Sequence, residues 1–248
     1  EAVVCDRRGD KIRGNKGDRV DARKLARELR QGDLRPVYQG ERGHRELKEL
    51  VRGYDYLVQD VVRTKSRLKA AFRSRGVKCA GRAVYRTGDR EDWLGKIDVD
   101  ALRARVSSLY EQLDCQTRLR KKAKDGMITG AKKHPSYKLL VKQPGLGPVR
   151  SAQILGIVGT PHRFRTKRQF WPYCGLAVVV HDSGEYEIVD GQRRRRKRAV
   201  RTRGLNKNFN RTLKVVFKGA AKTVISRDPF KQYYQRLLDK NIRPEMAK

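Results

Sequence analysis

The stretch HRELKELVRGYDYLVQDVVRTKSRLKAAF, residues 44–72, decides how the chain is organised. Leu47, Leu50, Tyr54, Leu57, Val61, Thr64, Leu68 and Ala71 follow one another in alternating steps of three and four, which sets them along one narrow seam of a helix. A basic, glycine-containing stretch over 73–98 interrupts the period. It resumes at Val99, Leu102, Val106, Leu109 and Leu113, before Gln116 and Arg120 weaken it. The pattern predicts a coiled-coil helical region over 41–125. An antiparallel hairpin, a coil between subunits, and two helices covering a common core all satisfy it.

Upstream, residues 1–40 place a short strand-like run (Val3, Val4) and a Gly-rich basic loop before a helix with Ala22, Leu25, Ala26 and Leu29 at helical spacing. That order reads as the tail of an α/β unit. Downstream, a polar break is expected at 124–135, followed by a second globular unit over 136–248. Its first pieces are a helix over 136–142, a Pro-Gly turn over 143–148 and a helix over 149–158. A strand over 177–180, a hairpin turn at Asp182-Ser183-Gly184 and a return strand over 186–189 follow. Residues 206–225 read as one amphipathic helix with Phe209, Leu213, Val216, Ala220 and Val224 inward. The fold class expected is mixed α/β and mostly helical.

Charge then bounds the function. The 248 residues hold 61 Lys plus Arg against 27 Asp plus Glu, a net charge of +34 that calls for a polyanionic partner. No apolar run approaches the roughly 18–20 residues that cross a bilayer, so a membrane partner is not expected. Cys5, Cys79, Cys115 and Cys174 form no C-x-x-C pair, and the histidines are not spaced with them as zinc ligands. A cytoplasmic, thiol-containing protein is the expectation. The chain opens on Glu1, with methionine only at 127 and 246, and reads as an internal stretch of a longer frame.

Three basic features point at nucleic acid. Around Lys142-Gln-Pro-Gly145-Leu-Gly147-Pro-Val-Arg150, two helices joined by a Gly-x-Gly turn make a helix-hairpin-helix pattern. Its glycines let backbone approach a phosphate, and the second helix's first N–H groups can meet it. Packing of an ordinary Pro-Gly loop is the plain alternative. Lys207, Arg211, Lys214, Lys218 and Lys222 recur on one helical face with no acid among them, a stripe that can follow a phosphate backbone. Arg193, Arg194, Arg195 and Arg196 belong to a third basic block, over 192–198. Asp18 and Asp21, at i and i+3, suit either a divalent metal or a helix start with Asp18 as N-cap. Ser183 by itself is a turn residue.

In combination these pieces resemble a known family. Lys16-Gly-Asp18-Arg-Val-Asp21-Ala-Arg-Lys-Leu-Ala26 and Gly32-Asp-Leu-Arg-Pro-Val-Tyr38 are similar to the last third of the RuvC-like (RNase H-like) DEDD domain of bridge-RNA-guided insertion-sequence transposases, relatives of the Piv invertase. Pro144-Gly-Leu-Gly147, Tyr173-Cys-Gly-Leu176, Asp182-Ser-Gly184, Arg203-Gly-Leu-Asn206 and Pro229-Phe-Lys-Gln-Tyr-Tyr234 resemble the carboxy-terminal transposase domain. The basic run after Gly191 is denser than the family pattern.

The resemblance implies a DNA recombinase in which Asp18 and Asp21 are two of four carboxylates that bind Mg²⁺, the other two lying upstream of Glu1. It makes Ser183 the nucleophile of a covalent phosphoserine intermediate. It also implies a tetramer, double-stranded donor and target DNA, a structured non-coding guide RNA that selects them, and a bacterial or archaeal, nucleoid-associated setting. A non-catalytic nucleic-acid-binding scaffold is the competing class, and a tyrosine recombinase using Tyr233 or Tyr234 a third.

Overall fold

The structure, a computed structural model, describes residues 5, 17–34, 42–180, 186–195, 202–205 and 208–247. It divides into two compact units, Glu1–Glu41 and Arg42–Lys248. In the first, helix α1 (Asp18–Gln31) starts from an extended Gly17 that makes no side-chain cap bond. Asp18 is therefore the first helical residue and not the N-cap. With Asp21 it puts negative charge in the first turn, where the backbone dipole favours it. Left-handed Gly32 closes the helix as the Asp33 N–H bonds to the Glu28 carbonyl at 3.0 Å. No α1 residue is buried. The strand-like run at Val3 and Val4 lies outside the described residues.

The second unit is built on a long antiparallel hairpin of α2 (Arg42–Arg73) and, after the short α3 (Arg90–Leu94), α4 (Asp100–Lys132). Leu47, Val61, Thr64, Leu68 and Ala71 are buried as the period predicts, but they pack on α4 of the same chain. Of the three arrangements open in the pattern, the seam is thus the intrachain hairpin. Leu50 departs from the period. It is 40% exposed, and Val51 is buried in its place. Leu50 lies instead against Gly130 of α4, where a Cβ would come within 2.8 Å of it. Mid-seam, the Thr64 hydroxyl donates to the Gln116 side-chain oxygen at 2.8 Å, so the polar residue that weakens the sequence pattern is paired inside the hairpin.

The interrupting stretch folds back over the distal end of the hairpin. Cys79, Val84, Trp93 and Ile97 form one core there with Leu68, Phe72, Val106 and Tyr110. The Tyr110 hydroxyl donates to the Val84 carbonyl at 3.0 Å, and Arg90 holds Asp114 through two bonds of 2.6 Å.

The polar break expected at 124–135 is absent up to Lys132. Lys121, Lys122 and Lys124 face solvent, while Met127 and Ala131 on the same helix are fully buried against Leu47 and Val51. Continuing burial at helical spacing carries α4 through the charged segment. The turn comes at Lys133 and His134, and α5 (Pro135–Val141) and α6 (Pro148–Val158) follow. Tyr137, Ala152 and Leu155 join the cluster at the hairpin's base. There α6 crosses α2 so closely that a Cβ on Gly156 would meet Val51 at 2.6 Å.

Helix α7 (Lys167–Tyr173) leads to four short strands, β1 (Val178–Val180), β2 (Tyr186–Val189), β3 (Gln192–Arg195) and β4 (Thr202–Leu205). Their pairing corrects the expected hairpin. β2 pairs with β3, Val189 opposite Gln192, across Asp190 and Gly191, which both have positive φ; β1 pairs with β4. An Asp-Gly turn has the twist that joins adjacent antiparallel strands, so it, and not the 182–184 segment, closes the hairpin. Helix α8 (Arg211–Val224) starts later than the pattern suggested, because 202–205 is strand and the Asn210 side chain accepts the Leu213 N–H at 3.0 Å as N-cap. Helices α9 (Phe230–Asp239) and α10 (Pro244–Ala247) end the described chain.

Candidate nucleic-acid interface

The turn between α5 and α6 lies against α8. Gly145 has φ +77, and a Cβ there would come within 2.7 Å of the Ala220 carbonyl oxygen and 2.9 Å of Val224. The close approach that requires glycine at 145 is thus to a neighbouring helix. Gly147, with open space around it, is the N-cap of α6. Arg150 braces the joint: its guanidinium donates to the Gly145 carbonyl at 2.6 Å and to the Thr223 hydroxyl at 2.9 Å. Lys142, just past α5, is exposed.

On α8 the predicted stripe is present from Arg211 on. Leu213, Val216, Ala220 and Val224 are buried, and Arg211, Lys218 and Lys222 are exposed on the opposite side. Lys214 is half-buried, its amine 4.3 Å from the centre of the Phe209 ring. Gly175, at φ +70, leaves the space that this ring occupies. Lys207, Arg196 and Ser183 lie outside the described residues. Arg193, Arg194 and Arg195 fall on β3, with Arg194 exposed. Asp18 and Asp21 stand one turn apart on α1, Asp18 exposed and Asp21 half-exposed. Their hard oxygens suit Mg²⁺ as two of its ligands. Among the described residues no group of three His, Cys, Asp or Glu side chains is placed to hold a metal.

The sequence reading missed a cleft of about 430 Å³ between α2, α6 and α8, lined by Asp55, Gln153, Arg150, Arg211 and Thr212 among others. A second depression sharing Asp55, Arg150 and Gln153 continues it to Gly147 at the start of α6. Gln153 donates to the Asp55 carboxylate at 2.7 Å. Burial holds that carboxyl above the usual carboxylate range, against the opposing effect of hydrogen bonds from Gln153 and Thr212. An acid inside the coiled-coil stretch gave no sequence signal, because only the fold brings α6 and α8 to it. The Cys174 thiol, buried and pushed up to about 12, stays protonated and is no nucleophile at neutral pH.

Cations along an exposed helix face, beside a cleft that Arg150 and Arg211 line, make a surface whose charge suits a polyanion such as a phosphodiester backbone. Among the described residues, no helix is long and apolar enough to cross a membrane. Residues 2–74 match a family model described as Transposase, of the DEDD type of IS110, and residues 137–203 match one described as Transposase IS116/IS110/IS902 family. The chain carries transposase domains of the IS110/IS116/IS902 family, and its activity is that of a transposase, an enzyme whose partner is DNA. No curated protein matches it.

Proposed function

We propose that this transposase cuts and joins DNA strands through Ser183, with Asp18 and Asp21 as ligands of Mg²⁺, under the direction of a structured non-coding RNA and as a homotetramer. The observation that carries the reading is the order of the two matches. The first contains Asp18 and Asp21 and runs through α2, and the second contains Ser183, with α4 between them.

The chemistry is coherent. A serine hydroxyl is a poor nucleophile until a base takes its proton. Its oxygen then attacks phosphorus, and the bond to one strand's oxygen breaks as the phosphoserine bond forms. Bound Mg²⁺ supplies Lewis-acid stabilisation to the developing charge. Asp18 and Asp21 hold that ion, while Lys142, Gly147, Arg194, Arg211, Lys214 and Lys218 position the duplex by its phosphates. Such contacts are indifferent to base sequence, which suits a protein that leaves sequence choice to a guide RNA.

The test uses a full-length protein with Mg²⁺, guide RNA and end-labelled DNA on a denaturing gel. Ser183→Ala should abolish the covalent protein–DNA adduct and leave DNA affinity within about threefold, since a tenfold change needs about 1.4 kcal/mol. Asp21→Asn should suppress cleavage through the metal site. An adduct that persists in Ser183→Ala refutes the serine assignment and moves attention to Tyr233, which is 63% exposed, and Tyr234.

A further inference from the structure

The distal end of the α2–α4 hairpin is electrically lopsided. Residues 61–88 contain nine Lys or Arg and no Asp or Glu, whereas residues 89–114 contain seven acids and four bases. Arg73, Arg75, Lys78 and Arg82 are exposed and have no ion pair among the described residues. The Lys65 amine is pushed below its ordinary range first by burial and then by the charges of Arg120 and Arg82, so positive charge reaches back along the hairpin. A free protein that keeps like charges together in this way is suited to a polyanion.

The position of this patch along α2 matters more than its charge. Asp55, which takes the Gln153 bond in the cleft beside α8, begins a line along α2 in steps of four and three through Gln59, Val62, Ser66, Lys69 and Arg73. Those steps keep one face of a helix. Along this line Val62 is 57% exposed and Gln59 and Ser66 are exposed, so the face is open between its two ends. At 1.5 Å per residue, Asp55 and Arg73 are about 27 Å apart. The chain then turns back, with the Val77 N–H on the Phe72 carbonyl and Cys79 beside Lys69, so that Lys78 and Arg82 return alongside the end of α2. A B-form duplex presents the same groove again after about 34 Å.

We propose that the cationic distal end of the hairpin is a second contact for double-stranded DNA, within one duplex turn of the α6–α8 surface and on the same face of α2. One straight duplex laid along that face meets both ends, and the acidic 89–114 flank turns it toward the cationic side. Single-stranded nucleic acid fits less well. It is gripped by stacking on open aromatic faces, and Tyr85 at this end already carries Lys65 and Lys69 over its ring, at 5.0 and 5.5 Å. The inference rests on the reading of α8 as a DNA contact.

The experiment measures binding of the whole chain to a looped 6-base-pair DNA duplex (about 20 Å at 3.4 Å per pair), to a 24-base-pair DNA duplex and to a 24-base-pair RNA duplex, as a function of salt. The first variant combines Arg73→Gln, Arg75→Gln, Lys78→Gln and Arg82→Gln. The second combines Arg211→Gln, Lys214→Gln, Lys218→Gln and Lys222→Gln.

On the long DNA the first variant should lose about 3–4 from the log–log salt slope, at about 0.9 per phosphate contact, while affinity for the short duplex changes less than about twofold. A third variant, with Arg73→Lys, Arg75→Lys and Arg82→Lys, keeps the charge and should keep the slope; loss there overturns an electrostatic contact. An unchanged slope in the first variant overturns the inference, and loss confined to the RNA duplex overturns its assignment to DNA. Unchanged binding of both DNA lengths by the second variant instead overturns the α8 reading beneath it.

Discussion

Gly145 and Gly147 are two residues apart in one turn, and their surroundings assign them different duties. Gly145 combines φ +77 with a backbone oxygen 2.7 Å from where a Cβ would stand, so Gly145→Ala strains the chain and pushes the turn off α8. The variant should lose about 1–3 kcal/mol, whereas Gly147→Ala, with open space around it, should lose at most about 1 kcal/mol, from alanine being the poorer N-cap; thermal melts compare them. Asp55 gives a test with a sign. Its folded-state affinity for a proton is raised by burial, so the stability it contributes is fully present below about pH 4 and is lost as pH rises through the folded value. Asp55→Asn removes that loss. The variant should melt at or above the wild-type midpoint at pH 7, and the difference should close on acidification toward pH 3; a difference that widens toward acid would contradict the assignment.

At the scale of elements, the hairpin explains why its two helices have such narrow apolar seams. Each faces mainly the other along most of its length, and only the hairpin's base shares a core with α5 and α6. Val61, 1% exposed, is enclosed by α4 of its own chain. Val61→Asp should therefore cost several kcal/mol of folding stability by burying a charge without a partner, and show as lost helicity. The neighbouring Val62→Lys, at an exposed site, should leave the melt within about 0.5 kcal/mol. Circular dichroism together with light scattering separates the cases: a folded Val61→Asp protein of halved mass would mean that the seam joins subunits. Seven of the eight seam residues could be read from the sequence as at least partly buried. Leu50 could not, because which of Leu50 and Val51 turns inward is set by the helices they meet, Leu50 lying against Gly130 and Val51 against Gly156.

For the whole molecule, a net charge of +34 makes DNA affinity a function of salt. Between 50 and 200 mM it should fall by about 10³–10⁵ if 6–10 phosphates are contacted, as read by fluorescence anisotropy on one duplex. A slope near zero would remove the polyanion argument and with it the role given to α8.

The sequence alone determined what depends on local period and on composition: the seam and its heptads, the helix–turn–helix around Gly145, the inward stripe of α8, and the demand for a polyanion. These are properties of neighbours three or four positions apart, or of the chain's total charge. Only the tertiary structure decided which surface each one meets. It turned the Gly145 turn and the Arg150 side chain toward α8, carried α4 through a charged segment because Met127 and Ala131 find a core at Leu47 and Val51, and closed the strand hairpin at Asp190-Gly191. It also brought Asp55 to Gln153 and Thr212. Each of these depends on which distant residues come into contact, and no local pattern carries that information.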